Sequence, residues 1–310
     1  MQRRSEDLLH PLVEHPLADA RIHRGSHQAM ATEWAIWISH EDEVYARQAV
    51  WEAFQLLERL EAELSRFNPN SDIARLNRLT PGEILPLGAE AFGCLRKARA
   101  LFEASGGAFD VTAGGLKDHY RENDSLRGRI AGRLRASRQP VGMEHLHLEG
   151  ETMRVWRDVG VEVDLGAIGK GYAVDRMVEL LQEWGLSDFL VHGGASSVAA
   201  RGHAPAHSGW PVTLRHPRDG GRVLAQFPLT EQALGASGIA RGEHIIDPRR
   251  RRPARTPLAV WVAASSATEA DGWSTAFMVM SGTAVRSCIG EKQVTRALIL
   301  GRDYSLTALP

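Results

Sequence analysis

An apolar run that ends in aspartate and bends through glycine into a helix, Val163-Asp-Leu-Gly-Ala-Ile-Gly-Lys-Gly171, constrains this chain more than any other segment. Glycines at 166, 169 and 171 permit close backbone approach and a positive φ. Beyond them Lys170, Val174, Met177, Leu181 and Trp184 recur with helical spacing, and Gly185 reads as the terminator. A strand-to-helix bend of this kind leaves main-chain N–H groups at the positive end of a helix dipole. Lys170 adds a cation, so the segment suits a phosphate or diphosphate group. It matches neither the GxxxxGK[ST] spacing of a P-loop nor a GxGxxG turn. A tight turn that simply needs glycine accounts for the same residues, so other segments must decide.

Composition narrows the choices. The 310 residues carry 37 Lys+Arg against 38 Asp+Glu, a formal charge of −1. That removes any whole-chain electrostatic argument for nucleic acid or membrane binding. No apolar stretch approaches the ~18 residues that a membrane helix needs. Cys94 and Cys288 are too few for a disulfide framework or a thiolate metal site, which points to a reducing, cytoplasmic setting. Residues 1–28 show little periodicity and no apolar signal core, so they are expected to be a disordered or arm-like segment, with the folded domain at 29–310.

Strand and helix patterns are mixed without regular βαβ alternation, which predicts an α+β fold. Trp34–Ile38, Phe189–His192 and Leu258–Ala263 read as strands, and Val161–Leu165 as a further one. His145–Leu148 and Met153–Trp156 resemble a hairpin. Val50, Phe54, Leu57, Leu60, Leu64 and Phe67 predict one long amphipathic helix that stops at Asn68-Pro69. A second helix is expected over 86–104, ending at Gly106-Gly107. The basic stretch 117–140 reads as a solvated loop or surface helix.

Three further segments carry polar groups suited to chemistry. Ser266-Ala-Thr-Glu269 has the spacing of a capping box, and in the helix it starts Asp271 and Thr275 share a face. A carboxylate with a hydroxyl is the hard-oxygen ligation that Mg²⁺ accepts, although a capped helix start explains the pair as well. His244, in the glycine-flanked stretch before Ile-Ile-Asp-Pro248, can act as acid or base near neutral pH. Arg249–Arg252 follows directly and could contact phosphates or stay solvated. Gly107-Ala-Phe-Asp-Val-Thr-Ala-Gly-Gly115 is another glycine-dense turn with an Asp and a Thr.

The order of these segments resembles the ApbE-type flavin transferases, the FAD:protein FMN transferase family, over about residues 30–300. The likeness rests on Met30-Ala-Thr32, Ser65-Arg-Phe-Asn-Pro-Asn-Ser-Asp72 with Arg75-Leu-Asn77, and Ala108-Phe-Asp-Val-Thr112. It continues through Val163–Asp175, Gly193-Gly194, Ser237-Gly238, His244–Pro248 and Ala270-Asp271 with Thr275. It implies a T-fold-like α+β architecture of mixed or antiparallel sheets with packed helices. It also implies a Mg²⁺-dependent reaction in which FAD is split, AMP leaves, and FMN joins a Thr or Ser hydroxyl of a partner protein through its phosphate. By the same resemblance Asp271, Thr275 and the carbonyl of Ala167 are metal positions. Met30, Phe67, Ala108, Phe109, Asp110, Asp164 and Lys170 are FAD positions, and His244 and Asp271 are the catalytic candidates, with His244 also at the flavin site. Hydrolysis of FAD to FMN and AMP, or FAD binding without transfer, are the alternative outcomes. No nucleic acid partner and no membrane span are expected. Four places depart from the family pattern: Phe67, Ala195-Ser-Ser197, Ala236 and Arg249–Arg252.

Overall fold

The computed structural model describes residues 21–121, 138–239, 244–289 and 294–310. The strands are β1 Ile22–Ala29, β2 Thr32–Ser39, β3 Leu85–Pro86, β4 Leu146–Glu149, β5 Arg154–Arg157, β6 Phe189–Gly193, β7 Ser197–Arg201 and β8 Trp210–His216. They continue as β9 Asp219–Leu229, β10 Gln232–Gly238, β11 Ile246–Asp247, β12 Arg252–Pro253, β13 Ala259–Ala264, β14 Val294–Leu300 and β15 Leu306–Leu309. The helices are α1 Glu43–Leu64, α2 Asp72–Arg78, α3 Ala89–Ala104, α4 Gly114–Arg121, α5 Gly169–Glu183, α6 Ala267–Phe277 and α7 Gly282–Cys288.

Eight strands form one antiparallel sheet in the order β1-β2-β6-β7-β10-β13-β14-β15. Helices pack against it, as the α+β expectation requires, and the described residues form three further small sheets. The predicted hairpin exists as β4 and β5, paired from Leu146↔Arg157 to Glu149↔Arg154. β13 is buried along its whole length, in keeping with an uninterrupted apolar run. Trp34, Trp210, Trp273 and Phe109 are the bulkiest fully buried side chains of the core. The Trp34 indole N–H is satisfied by the Ala29 carbonyl at 3.0 Å.

Several expectations need correction. Order does not wait for Met30: residues 22–28 of the expected arm belong to β1, paired in register with β2. The rest of that segment, residues 1–20, lies outside the described residues, as do 122–137 of the basic stretch. α1 ends at Leu64 rather than running to Phe67, because Ser65 turns extended and Ser71 donates its hydroxyl to the Ser65 carbonyl. α3 begins at Ala89, since Leu85–Pro86 is used as β3. Val161–Leu165 belongs to none of the strands and makes one isolated parallel bridge, Glu162 with Ala113. Asn77 of α2 takes the place of a strand partner, its amide donating to the Val163 carbonyl and its oxygen accepting from the Val163 N–H, both at 2.8 Å.

Two glycines let the central elements touch. A Cβ at Gly171 in α5 would stand 2.2 Å from the Ala267 carbonyl oxygen at the start of α6. A Cβ at Gly235 in β10 would stand 2.2 Å from the Ala270 carbonyl carbon. Across the first of these contacts Asp175 caps α6, accepting from the N–H groups of Ala267 at 2.7 Å and Thr268 at 2.9 Å. The Ser266 hydroxyl accepts from Glu269 N–H, the first half of the predicted capping box. Because the atoms met at Gly171 are backbone, Gly171→Ala should destabilise the fold by about 1–3 kcal/mol. Urea unfolding checks this, and an unchanged midpoint with unchanged slope would contradict the close-approach account.

Candidate functional site

The ends of β10 and β13, the bend before α5 and the inner face of α6 enclose a cavity of about 530 Å³. That volume falls within the ~300–1,000 Å³ usual for small-molecule sites. Its walls bring together Met30, Asp110, Asp164, Ala167, Lys170, His244, Asp271 and Thr275, residues spread over most of the chain. Phe67, Ala108 and Phe109 are not on those walls. Phe67 is 76% exposed, with the Arg66 guanidinium 4.6 Å from its ring centroid, and Ala108 and Phe109 are buried in the core just before Asp110. The tetrad Arg249–Arg252 spans the β11–β12 turn and the first residue of β12, and does not line the cavity.

Asp271 is the most constrained group. Its Oδ2 accepts from the Gly171 N–H at 2.8 Å and from the Ser197 hydroxyl at 2.6 Å, while its buried Oδ1 has no hydrogen-bond partner. Burial pushes its pKa up to about 7, against the nearby positive charge of Lys170 and the two hydrogen bonds. One turn on, the Thr275 hydroxyl lies 3.0 Å from that of Ser237, which also contacts Ser274 at 2.9 Å. An orphaned carboxylate oxygen beside a hydroxyl is a donor set with a place left for a hard cation. Among the described residues no group of three or more His, Cys, Asp and Glu could hold a metal.

The bend itself is anchored by opposite charge. Asp164 accepts from Lys117 Nζ at 3.1 Å and from Gly166 N–H at 2.8 Å, with Arg66 Nε at 3.4 Å. Burial opposes its ionisation, but Lys117 and Arg66 outweigh it and hold the carboxyl below its ordinary value. Arg66 is nearly buried and also grips Asp118 through two bonds and Glu162 through one. Asp110 behaves oppositely: burial raises it to about 6 even though Thr112 donates through both its N–H and hydroxyl.

At the rim, Met30 and Ala31 form the two-residue loop between β1 and β2, and both have positive φ, 49° and 56°. A type I′ hairpin turn requires this, and Asn-Gly is its usual occupant. Two ordinary side chains held left-handed at a cavity rim are locally strained.

A model of the ApbE family matches residues 30–299. This chain belongs to the ApbE family. Among its relatives, a protein of Vibrio cholerae named FAD:protein FMN transferase is 27% identical over 264 residues, covering 80% of this chain and 78% of the relative. One of Klebsiella pneumoniae with the same name is 24% identical over 290 residues, 88% of this chain and 83% of its own. The ApbE protein of Thermotoga maritima superposes with a TM-score of 0.82 at 24% identity, covering 93% of this chain and 97% of that one. The Pseudomonas stutzeri flavinyl transferase ApbE, in its apo form, gives 0.78 at 26%, covering 93% and 94%. The fold is therefore that of the family, as the T-fold-like expectation had it.

Five contributors were not singled out as site residues from the sequence. Ser237, Arg66 and Asp175 stood inside quoted motifs without an assigned role, whereas Ser197 was visible only as a departure after Gly193-Gly194. Lys117, in the basic stretch, carried no signal at all.

The buried acid has a consequence for stability. Its folded pKa lies above the unfolded value of ~3.9, so its contribution is present below about pH 4 and is lost as pH rises through about 7. In EDTA-treated protein, Asp271→Asn should be more stable than the parent at pH 8, by up to ~4 kcal/mol, with the gap closing near pH 4. Thermal melts across that range decide it, and a parent that is the more stable at pH 8 would refute the buried-charge account.

Proposed function

We propose that this chain splits FAD and joins FMN, through its phosphate, to a Thr or Ser hydroxyl of an acceptor protein, releasing AMP. The observation that carries the reading is the one-sided Asp271 carboxylate and the Thr275 hydroxyl opening into the same cavity as the Asp164–Lys170 bend. Family membership and the names of the relatives support the same chemistry.

Each wall has a task in this scheme. The N–H groups at the start of α5 and the Lys170 ammonium face a diphosphate and offset its charge. Asp164, kept ionised by Lys117 and Arg66, orients polar edges of the nucleotide by accepting hydrogen bonds. Met30 at the rim presents an apolar, adaptable surface to a flavin ring. Asp271 Oδ1, the Thr275 hydroxyl and the Ala167 carbonyl would hold Mg²⁺. When bound, the ion supplies positive charge that polarises the phosphoryl oxygens. Ser197 and Gly171 keep Asp271 Oδ2 occupied, so that Oδ1 is the oxygen left to the cavity.

His244 supplies the base. An imidazole nitrogen takes the proton of the acceptor hydroxyl as its oxygen bonds to the phosphorus of the FMN half, while the bond from that phosphorus to AMP breaks. No helix of the described residues is long and apolar enough to cross a membrane. Cys94 and Cys288 are both buried.

Purified protein given FAD and Mg²⁺ should release AMP, and with an acceptor it should leave flavin fluorescence on the denatured acceptor band. Asp271→Ala should abolish that transfer. His244→Ala should keep its FAD affinity and transfer FMN ~10²–10⁴-fold more slowly. Full transfer by Asp271→Ala would overturn the metal assignment, and loss of FAD binding in His244→Ala would make that histidine a ligand contact instead of a base.

A further inference from the structure

The tetrad Arg249–Arg252 is the one motif that the proposed chemistry leaves unused. It spans the tight turn after β11 and the first residue of β12, and with Arg255 it places five arginines within 249–255 of a chain whose formal charge is −1. His244, Ile245 and Ile246, immediately upstream, line the cavity. Arg250 is four residues past Ile246, at most ~14 Å along an extended chain. The turn thus stands outside the cavity and beside it.

Its arginines divide into two kinds. Arg249 is anchored inward: its N–H and Nε donate to Asp247 Oδ1 at 3.1 and 3.2 Å, and its Nη2 donates to the Val279 carbonyl at 2.9 Å. Arg251 donates to the Gln139 carbonyl at 3.0 Å. Arg250 is two-thirds exposed, with Asp247 Oδ2 3.8 Å from its Nε, and Arg252 is exposed too. Arg302, also exposed, donates from Nε to the Arg255 carbonyl at 2.7 Å and so holds a further positive charge beside Arg255. A turn fixed by two arginines and a buried aspartate presents the others with little ordering cost.

We infer that Arg250 and Arg252, with Arg255 and Arg302 behind them, dock the acidic flank of the acceptor segment whose hydroxyl enters past His244. The inference rests on the transferase reading and names the chemistry of its partner. These arginines do not line the nucleotide cavity, so the cavity's diphosphate does not account for them, whereas an acceptor chain reaching His244 must continue across the neighbouring surface. Acidic residues on either side of the hydroxyl complement that surface and steer encounter as well as hold register.

The probes are a synthetic peptide with a central threonine flanked by aspartates, and its twin with asparagines. Anisotropy of the labelled peptides, with the full chain, should show the aspartate form binding roughly tenfold more tightly, with the difference shrinking as salt rises. The double variant Arg250→Glu/Arg252→Glu should abolish the preference while AMP release from FAD without acceptor stays unchanged. Equal binding of the two peptides by the parent, or a preference that survives the double variant, overturns the docking surface. So does a single-stranded oligonucleotide that binds this face more tightly than the aspartate peptide. Charge-selective binding without any flavin transfer or AMP release would keep the surface and sink the transferase reading. Equal transfer to both peptides, with equal affinity, would do the reverse.

Discussion

One hydrogen-bonded carboxylate organises this molecule. Asp271 can sit between the Gly171 N–H and the Ser197 hydroxyl only because α5, α6 and β10 meet at glycine, with no Cβ at 171 or 235 to hold them apart. The Asp175 cap fixes the start of α6 from α5, so the position of Asp271 along its helix is set before any ligand arrives. Helix packing here does the work of preorganisation: it determines which oxygen is satisfied by protein and which is not.

Charge around the cavity is arranged in opposite senses. At Asp164 burial is outweighed by Lys117 and Arg66, and the group stays ionised. At Asp271 and Asp110 burial prevails and raises the acids towards neutrality. The three carboxyls are thus set apart by their surroundings, and of them only Asp271 keeps a buried oxygen without a hydrogen-bond partner. The arginine turn outside repeats the pattern on a surface, where two guanidiniums are used internally and others face solvent.

Much of this was legible in the sequence, for physical reasons that differ by residue. The Asp271–Thr275 pair was readable because helical spacing puts four-apart residues on one face, and the α5 bend because glycine there has few other uses. β1 was not, since Ile22-His-Arg-Gly-Ser-His-Gln-Ala29 lacks apolar alternation and is held by pairing with β2 and by α1 packing over Gly25. Phe67 extended an apolar periodicity that the chain itself abandons at Ser65. Val163 had strand character, but a side chain on α2 completes its hydrogen bonds, which no local pattern reveals. Ser197 and Lys117 acquire meaning only from partners 74 and 47 residues away.

The β1–β2 loop shows what the cavity asks of the scaffold around it. Asn-Gly in place of Met30-Ala31 would relax the hairpin and make the protein hardier, yet it would strip the rim of its thioether and methyl. Met30 and Ala31 thus hold a thioether and a methyl at the cavity mouth in place of an unstrained turn, a trade made in the backbone rather than in any polar group.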